Sequence, residues 1–248
     1  MGQWPLASSA PLPDKDEVHV WRMVLDSHLS RVERLQQTVA AEEMARAERF
    51  RFEKDRRRFM VARGTLRAIL SRYLSIPPSR LRFLYGPRGK PRLAEEMGGS
   101  RLRFNLAHSH GRALCAVTAH REVGIDIEQI VCDIENDLIA EYLFSSGEIA
   151  ALRALPAERQ PHMFYRLWTQ KEAYVKATGD GLHLPLNQFE VALPAGESPT
   201  LLGVVGSPEE AGRWSLYELH PWPGYAAALA VQGRDVCITC QEWSLDVM

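Results

Sequence analysis

The chain has 248 residues, of which 46% are hydrophobic and 25% are charged, and this composition excludes a disordered or fibrous protein. No apolar run approaches the ~18 residues that span a bilayer, and the N-terminus lacks the basic start and apolar core of a secretory signal. Four cysteines are too few for a disulfide framework in a chain of this length. We therefore expect a cytoplasmic protein with no membrane segment.

Charge is unevenly distributed along the chain, although the net charge is only −1. Residues 1–120 carry 22 basic and 12 acidic residues, whereas residues 121–248 carry 8 and 19. The positive charge is densest between Arg46 and Arg72, where ten basic residues occur with three acidic ones. Such a field would concentrate a polyanion, and it would equally let a basic half and an acidic half attract each other.

The first predicted elements are a loose tail over residues 1–14 and a strand over residues 18–25, where apolar residues alternate. From Asp55 onward apolar residues recur at steps of three and four, which predicts an amphipathic helix with Asp55 as N-cap and Pro77-Pro78 at its end. Its apolar positions are Phe59, Ala62, Leu66, Ile69, Leu70 and Tyr73, and its arginines mostly lie off that stripe, namely Arg56, Arg57, Arg63, Arg67 and Arg72.

The middle of the chain is predicted to form a turn followed by three strands. Residues 86–91 (GPRGKP) contain two glycines and two prolines, which is typical of a turn. The three predicted strands are Leu102–Ala107, Ala113–Ala119 and Val123–Glu128.

Two helices are predicted after these strands. Ser145-Ser146-Gly147-Glu148 is a capping box that opens the first, and the second runs from about His162 to Ala177 and stops at Gly179-Asp180-Gly181. Short strands follow from Phe189 to about Thr239, with turns at 194–196 and 223–224. Because strands and helices alternate irregularly, the pattern favours an α+β fold over a doubly wound sheet.

The segment Gly124-Ile125-Asp126-Ile127-Glu128 carries the strongest chemical signal. Side chains two apart on a strand share a face, so Asp126 and Glu128 would project together, with Cα atoms about 6.5–7 Å apart. Both carboxylates could then approach one hard cation such as Mg²⁺, which prefers oxygen ligands. An amphipathic strand with a wet acidic face would show the same pattern.

A second signal lies on the predicted long helix, where Trp168, Glu172 and Lys176 recur at four-residue steps and share a face. Glu172 could be a third metal ligand or a general base, and Lys176 could meet an anion. The alternative is a surface Glu–Lys pair worth about 0.3–0.5 kcal/mol.

Two histidines and two cysteines give weaker signals. His108 ends a predicted strand beside a glycine-marked turn, where its imidazole could donate to a phosphate or serve a structural purpose. His108 and His110 could also bind a transition metal, but no further residue completes a ligand set. Cys237 and Cys240 have C-x-x-C spacing without a second pair, so we interpret them as core or incidental residues.

In their order and spacing, these motifs resemble the 4′-phosphopantetheinyl transferases of the Sfp type. The run FNLAHSHGRALCAVTAHREVGIDIEQI, followed about forty residues later by LWTQKEAYVKATGDGL, is similar to that family's pattern. The pattern is an N-[ILV]-x-H strand end, a G-[IV]-D-[IL]-E strand and a W-x-x-K-E-A/S-x-x-K helix. Weaker resemblance reaches back through Gly89-Lys90-Pro91 and Arg49–Phe52, so that it covers about residues 40–190.

The resemblance implies a monomer of two similar α+β halves, a pseudo-dimer with the active site in the cleft between them. The first half, residues 15–121, would bind coenzyme A, and the second, residues 122–248, would carry the metal and catalytic residues. The implied reaction transfers the 4′-phosphopantetheine arm of coenzyme A to a serine of apo acyl, peptidyl or aryl carrier proteins and releases 3′,5′-ADP. Mg²⁺ would assist, with Mn²⁺ possible, and neither nucleic acid nor membrane would be a partner.

The family's site residues are carried over by position. Asp126, Glu128 and Glu172 match the acidic residues that hold Mg²⁺ against the pyrophosphate, and Glu172 or a metal-bound water would act as the base. Lys176 would neutralise charge on the diphosphate. The matched contacts to coenzyme A are Lys176 and Lys171 at the diphosphate, His108 and Arg46 at the 3′-phosphate, Lys90 in the turn bordering the adenine, and Asn105 in the strand-end motif.

One residue departs from the pattern, because Ala107 stands where many members have a serine, and a hydroxyl contact to the 3′-phosphate is lost there. Two other functions stay open from the residues alone. A nucleic-acid-binding protein would use the basic 46–72 helix but would leave the carboxylate motifs without a purpose. A Mg²⁺-dependent nucleotide phosphohydrolase would use the same carboxylates. Within the resemblance, a chain of this long type often serves polyketide or nonribosomal peptide synthases, and a fatty-acid carrier stays open as an alternative.

Overall fold

A computed structural model of the chain describes residues 4–6, 11–99, 101–132, 136–179, 184–194 and 198–244, with the backbone alone at 136–138. Its strands are β1 (Glu17–Val24), β2 (Phe83–Tyr85), β3 (Pro91–Leu93), β4 (Leu102–Ser109), β5 (Arg112–Ala119), β6 (Val123–Gln129), β7 (Phe189–Ala192), β8 (Thr200–Val204), β9 (Trp214–Leu219), β10 (Tyr225–Gln232) and β11 (Cys237–Glu242). Its helices are α1 (Leu29–Gln36), α2 (Ala41–Ala47), α3 (Glu53–Leu74), α4 (Asn136–Leu143), α5 (Ser146–Arg153), α6 (Gln160–Thr178) and α7 (Glu210–Arg213).

Two larger sheets form the centre of the fold. The first has the order β11-β1-β5-β4, in which β11 runs parallel to β1 and the other pairs are antiparallel. The second is antiparallel, with the order β6-β10-β9. Separate hairpins are formed by β2 with β3 and by β7 with β8. The strand β11 comes from the end of the chain, so the first sheet contains strands from both ends of the sequence.

The elements are stacked as helix, sheet, sheet and helix. Buried residues of α1 and α3 pack with Trp21, Met23 and Leu25 on one face of the first sheet. Its other face packs against the second sheet through a core that includes Val20 and Ile125. The helix α6 covers the remaining face of the second sheet, where small residues of β10 let it approach closely. Each sheet is therefore covered on both faces.

The start of α3 differs from the prediction. The helix begins at Glu53 with Phe52 at the N-cap position, and Asp55 lies within the first turn instead of capping it. A carboxylate in the first turn still interacts favourably with the N-terminal end of the helix dipole. At its other end α3 stops at Leu74, where Ser75 takes a left-handed conformation with φ 53° before the two prolines.

The prediction that the arginines lie off the buried face of α3 is wrong for Arg63 and Arg67. Both are buried, and both donate to the Glu43 carboxylate of α2, with an Arg67 Nε to Oε2 distance of 2.6 Å. Arg67 also donates to the carbonyl oxygens of Pro78 and Leu81 at 2.9 and 3.0 Å. A buried cation is tolerated only when paired and hydrogen-bonded, and Glu43 supplies that pairing.

The other local predictions largely agree with the structure. Ser145 and Glu148 form the predicted capping box, with the Glu148 amide 3.2 Å from the Ser145 hydroxyl and the Ser145 amide 2.8 Å from the Glu148 carboxylate. Gly179 ends α6 with φ 77°, whereas Asp180 and Gly181 lie outside the described residues. The turn at Gly224 is confirmed by its φ of 76°, and most of the turn at 194–196 is outside the described part.

The combination of mainly antiparallel sheets with packed helices confirms the α+β prediction. The division into two similar halves stays a prediction. No helix in the described ranges is long and apolar enough to cross a membrane.

Candidate active site

The end of β4 places His108 beside a tight turn. The turn to β5 has φ 44° at His110 and φ 81° at Gly111, the pair of positive values found in type I′ hairpins. His108 is exposed, yet the surrounding protein partly removes water from its imidazole and lowers its pKa. The nearby cations Lys176 and Arg46 lower that pKa further. The imidazole therefore lies in a positive environment suited to an anion.

Two polar side chains of β4 join the edge of the first sheet to β6. The Asn105 Oδ1 accepts from the amide of Ile125 at 2.9 Å, and the Ser109 hydroxyl accepts from the amide of Gln129 at 3.2 Å. In each of these hydrogen bonds, the β6 residue comes 20 positions after its partner on β4. The two strands therefore run side by side in the same direction. Asn105 is thus used to fix β6, and the Ser109 hydroxyl also donates to Glu128 Oε2 at 2.7 Å.

Gly124 allows α6 to lie directly against β6. A Cβ atom at this position would be 2.0 Å from the carbonyl oxygen of Ala173 and 2.3 Å from the amide nitrogen of Ala177. Real side chains do not approach backbone atoms so closely, so a larger residue would push the helix away. The glycine of the G-I-D-I-E segment therefore sets the spacing between the strand with Asp126 and the helix with Glu172 and Lys176.

The resulting site brings the predicted carboxylates to one lysine. The Lys176 Nζ donates to Asp126 Oδ1 at 2.5 Å, and the Asp126 side chain is 4% exposed. The second oxygen, Asp126 Oδ2, is buried and has no hydrogen-bond partner. Glu128 and Glu172 are half-buried nearby, each close enough to interact electrostatically with Asp126 and Lys176. The wet acidic face considered above is therefore excluded for Asp126.

The electrostatics show an excess of negative charge. Burial raises the pKa of Glu128; the Ser109 hydroxyl opposes this rise, whereas the Asp126 carboxylate adds to it. Burial also raises the pKa of Glu172, against an opposing effect of Lys176 and with a further rise due to Asp126. Burial of its ammonium lowers the pKa of Lys176, but the surrounding carboxylates outweigh burial and raise it above the usual value. Three carboxylates face one cation here.

A cavity of about 260 Å³ opens beside this group, between the 86–91 turn, β4 and α6. Its walls include Lys90, Asn105, Glu172 and Lys176. The Lys90 Nζ donates to Glu122 Oε2 at 3.1 Å and to the carbonyl oxygen of Ala177 at 2.9 Å, so it fastens the turn to the end of α6. Burial lowers the pKa of Lys90, partly offset by Glu122.

Arg46 lies on the exposed side of α2, with its guanidinium 5.6 Å from the ring centre of Phe59. It lines a separate cavity of about 500 Å³ together with Arg49, Phe50 and Tyr85. Because Arg46 lowers the pKa of His108, the two side chains belong to the same positive region.

Lys171 is a matched residue whose side chain does not reach this group. Its side chain is completely buried and is 2.8 Å from Glu148 Oε2, and its Nζ donates to the carbonyl oxygens of Leu186 and Phe189. Neighbouring residues on a helix point about 100° apart, so Lys171 cannot share the face of Glu172. The expectation that Lys171 contacts the diphosphate is therefore corrected.

The carboxylate oxygens of this group are chemically suited to bind a divalent cation. No three His, Cys, Asp or Glu side chains in the described part of the chain are already arranged around one metal position. Three carboxylates, those of Asp126, Glu128 and Glu172, nevertheless interact electrostatically with one another, and Asp126 Oδ2 is a buried acceptor without a donor. Oxygen donors with excess negative charge are the ligands that Mg²⁺ prefers. The donor set therefore fits this ion.

Sequence reasoning missed Ser109 and the function of Gly124. Ser109 was visible as a residue on the same strand face as Asn105 and Ala107, but its partner Glu128 is known only once β4 and β6 are placed together. Gly124 was visible as a glycine inside a strand, which often marks a close backbone approach.

Comparison with known proteins defines the family. Residues 122–230 match the profile described as the 4′-phosphopantetheinyl transferase superfamily, and residues 24–122 match the N-terminal domain of 4′-phosphopantetheinyl transferase. The transferase HetI of a Nostoc species is 44% identical over 218 residues, covering 88% of this chain and 89% of HetI. Sfp of Bacillus subtilis is 31% identical over 177 residues, covering 70% of this chain and 76% of Sfp.

A further relative is psf-1 of Bacillus pumilus, a 4′-phosphopantetheinyl transferase 37% identical over 171 residues, which cover 68% of this chain and 70% of psf-1. The chain therefore belongs to the 4′-phosphopantetheinyl transferases of the Sfp type. It is a holo-carrier-protein synthase, an enzyme that transfers phosphopantetheine from coenzyme A to carrier proteins. The comparisons support neither a phosphohydrolase nor a nucleic-acid-binding protein.

Proposed function

We propose that the transfer takes place where β6 and α6 meet, in the cavity beside Asp126, Glu172 and Lys176. The observation that carries this proposal is the convergence of three carboxylates on Lys176, with Asp126 Oδ2 left buried and unpaired. Asp126, Glu128 and Glu172 would hold Mg²⁺, and Mn²⁺ would serve the same set. When bound, the ion supplies positive charge to the diphosphate of coenzyme A.

In the proposed reaction, the carrier serine hydroxyl attacks the β-phosphorus of coenzyme A. A new serine O–P bond forms as the bond from that phosphorus to the bridging diphosphate oxygen breaks, and 3′,5′-ADP leaves with the electron pair. Glu172 accepts the hydroxyl proton, since its carboxylate lines the cavity in which the transfer is proposed to take place. Lys176 neutralises negative charge on the leaving diphosphate.

The positive region around His108 and Arg46 is proposed to hold the nucleotide. His108 and Arg46 would meet the 3′-phosphate, supported by their shared positive environment. Lys90 would border the adenine through its side chain while its ammonium stays bonded to Glu122 and Ala177. Asn105 would act indirectly, by fixing β6.

The carriers of polyketide and nonribosomal peptide synthases are the proposed substrates, with a fatty-acid carrier tested in parallel. Carriers with an acidic surface would be attracted by the basic first 120 residues. Because β6 and α6 come from the same chain, we propose that the cytoplasmic enzyme acts as a monomer.

The test is to incubate the protein with coenzyme A, MgCl₂ and an apo carrier protein and to weigh the carrier by mass spectrometry. We expect a gain of one phosphopantetheine arm and an equal amount of 3′,5′-ADP, and no gain when the acceptor serine of the carrier is replaced by alanine. Hydrolysis of coenzyme A with no mass gain on any carrier would contradict the proposal.

A further inference from the structure

Lys171 occupies an unusual environment for a lysine. Its side chain is 0% exposed, and its ammonium meets three oxygens, at 2.7 Å from Leu186 O, 2.6 Å from Phe189 O and 2.8 Å from Glu148 Oε2. A lysine ammonium has three donors, so these three acceptors satisfy it completely. None of these partners lines the cavity beside Glu172 and Lys176.

Both carboxylate oxygens of Glu148 are also occupied by partners. One of its carboxylate oxygens accepts from the Val191 amide at 2.8 Å, and the other accepts from the Ser145 amide and meets Lys171. The pair therefore connects the start of α5, the middle of α6 and the segment 186–191. We call Glu148 and Lys171, with the backbone groups of this segment that they bind, the α6 anchor.

The α6 anchor and Gly124 hold α6 from two directions. On the face of α6 that packs on β6, the absent side chain of Gly124 lets the backbone at Ala173 and Ala177 touch the strand. On a different face, the α6 anchor fixes the helix one residue before Glu172. A small rotation or slide of α6 would move Glu172 and Lys176 relative to Asp126, which lies on β6.

We infer that Lys171 and Glu148 are positioning residues of the transfer reaction, which set the place of α6 against β6 without touching coenzyme A. This inference rests on the proposed function, because it gives Glu172 and Lys176 their tasks in the reaction. A buried ion pair is weak evidence for stability, since apolar residues often pack as well. Its hydrogen bonds are directional, however, and each one fixes α6 to a particular backbone atom, which apolar contact would not do.

The test uses Lys171→Met and Glu148→Gln, each close in volume to the original residue, with Lys15→Met as the control for losing an exposed lysine. Turnover and the Kd of coenzyme A are measured well below the melting temperature of each variant. We expect each single variant to lose on the order of 10-fold to 100-fold in kcat through displaced catalytic groups, with a much smaller change in the Kd of coenzyme A. If Lys171→Met does not fold, Glu148→Gln carries the same test.

Two results would overturn the inference. A weakened Kd with normal kcat in Lys171→Met would make Lys171 a coenzyme A ligand. A lower melting temperature with normal kcat in both single variants would leave the α6 anchor a purely structural feature.

A second measurement separates this inference from the proposed function. Residues that act through one another give less than multiplicative losses, so Lys171→Met should lower kcat much less in a Glu172→Gln background than in the original protein. If Glu172→Gln alone has normal turnover, the proposed function fails. If Glu172→Gln is impaired and Lys171→Met still adds its full loss, the positioning inference alone fails.

Discussion

The His108 imidazole lies among cations, with Lys176 and Arg46 both lowering its pKa. A neutral imidazole must therefore take up a proton to make a charge-assisted contact with a phosphate. We expect the affinity for coenzyme A to fall as the pH rises above the lowered pKa of this imidazole, and the affinity for dephospho-coenzyme A to depend less on pH, because it lacks the 3′-phosphate.

Replacing His108 by alanine allows the binding of coenzyme A and of dephospho-coenzyme A to be compared directly. His108→Ala should weaken binding of coenzyme A by roughly 10-fold to 100-fold, the loss of about 1.5–3 kcal/mol from a charged hydrogen bond. Binding of dephospho-coenzyme A should change little. Titration calorimetry with both ligands measures the difference, and equal losses would give His108 a structural role instead.

Glu128 should make the ligand-free protein less stable at neutral pH. Its pKa in the folded state is raised above the usual 4.5, so the folded protein still binds a proton that the unfolded chain has released. Stability then falls as the pH rises from about 4.5 through the raised pKa. Glu128→Gln should therefore increase the free energy of unfolding at pH 7 and lose this advantage near pH 4.

Urea unfolding of both proteins at the two pH values, without divalent cations, measures this effect. A Glu128→Gln variant that is less stable than the original at pH 7 would contradict the predicted sign.

For individual residues, the sequence predicted which side chains have unusual chemistry, but it did not predict all of their partners. Asp126, Glu172 and Lys176 could be found because their spacing on a strand and a helix fixes their faces. The Ser109 contact with Glu128 and the Lys171 contact with Glu148 join distant elements, so no local spacing reveals them. The correction at Lys171 follows from this limit.

Among the elements, the contact between β6 and α6 depends on Gly124. Gly124→Ala should place a methyl group against the backbone of Ala173 and push α6 away, at a cost of about 1–3 kcal/mol in stability. Because the shift separates Glu172 from Asp126, turnover should fall more than the loss of folded protein explains.

Gly203→Ala is the matched control, since Gly203 also lies in a strand but an added Cβ would meet no atom within 4 Å. Urea unfolding and steady-state kinetics on both variants make the comparison. Equal turnover in Gly124→Ala and Gly203→Ala would show that the close approach is not needed for the reaction.

Elements were predictable where one face is buried and a cap is present. The capping box at Ser145 and the extent of α6 agree with the sequence pattern. The start of α3 was placed too late, because Phe52 holds the N-cap position without a side-chain hydrogen bond that composition could signal. Strand β1 is buried on both faces, since Trp21 packs on the helix side and Val20 between the sheets, so its alternation is weak.

For the whole molecule, the uneven charge along the sequence could serve to attract a polyanion or to hold a basic and an acidic half together. Part of this charge is paired inside the fold. Arg63 and Arg67 share the one carboxylate of Glu43 inside the fold, and Arg58 pairs with Asp26. A count of charges along a sequence cannot separate such internal pairs from the cations left for a ligand. The internal pairs were identified only from the packing of α2 against α3.

The two sheets share one core, so the first part of the chain should not fold alone. Residues 15–121 lack β11, which pairs with β1, and they lack Ile125 and Leu229, which pack against Val20. We expect this fragment to show no cooperative thermal transition by circular dichroism, in contrast to the full chain. A cooperative transition with slow amide exchange in the fragment would contradict the shared core.

The central claim, that the meeting of β6 and α6 is the catalytic centre, is tested most directly by the turnover of Glu172→Gln. This change keeps the shape and removes the charge, so a solvent-exposed pair would lose only about 0.2–1 kcal/mol of stability and no activity. We predict a loss of about 100-fold or more in kcat with the fold intact. Normal turnover of Glu172→Gln on an apo carrier protein would contradict the claim.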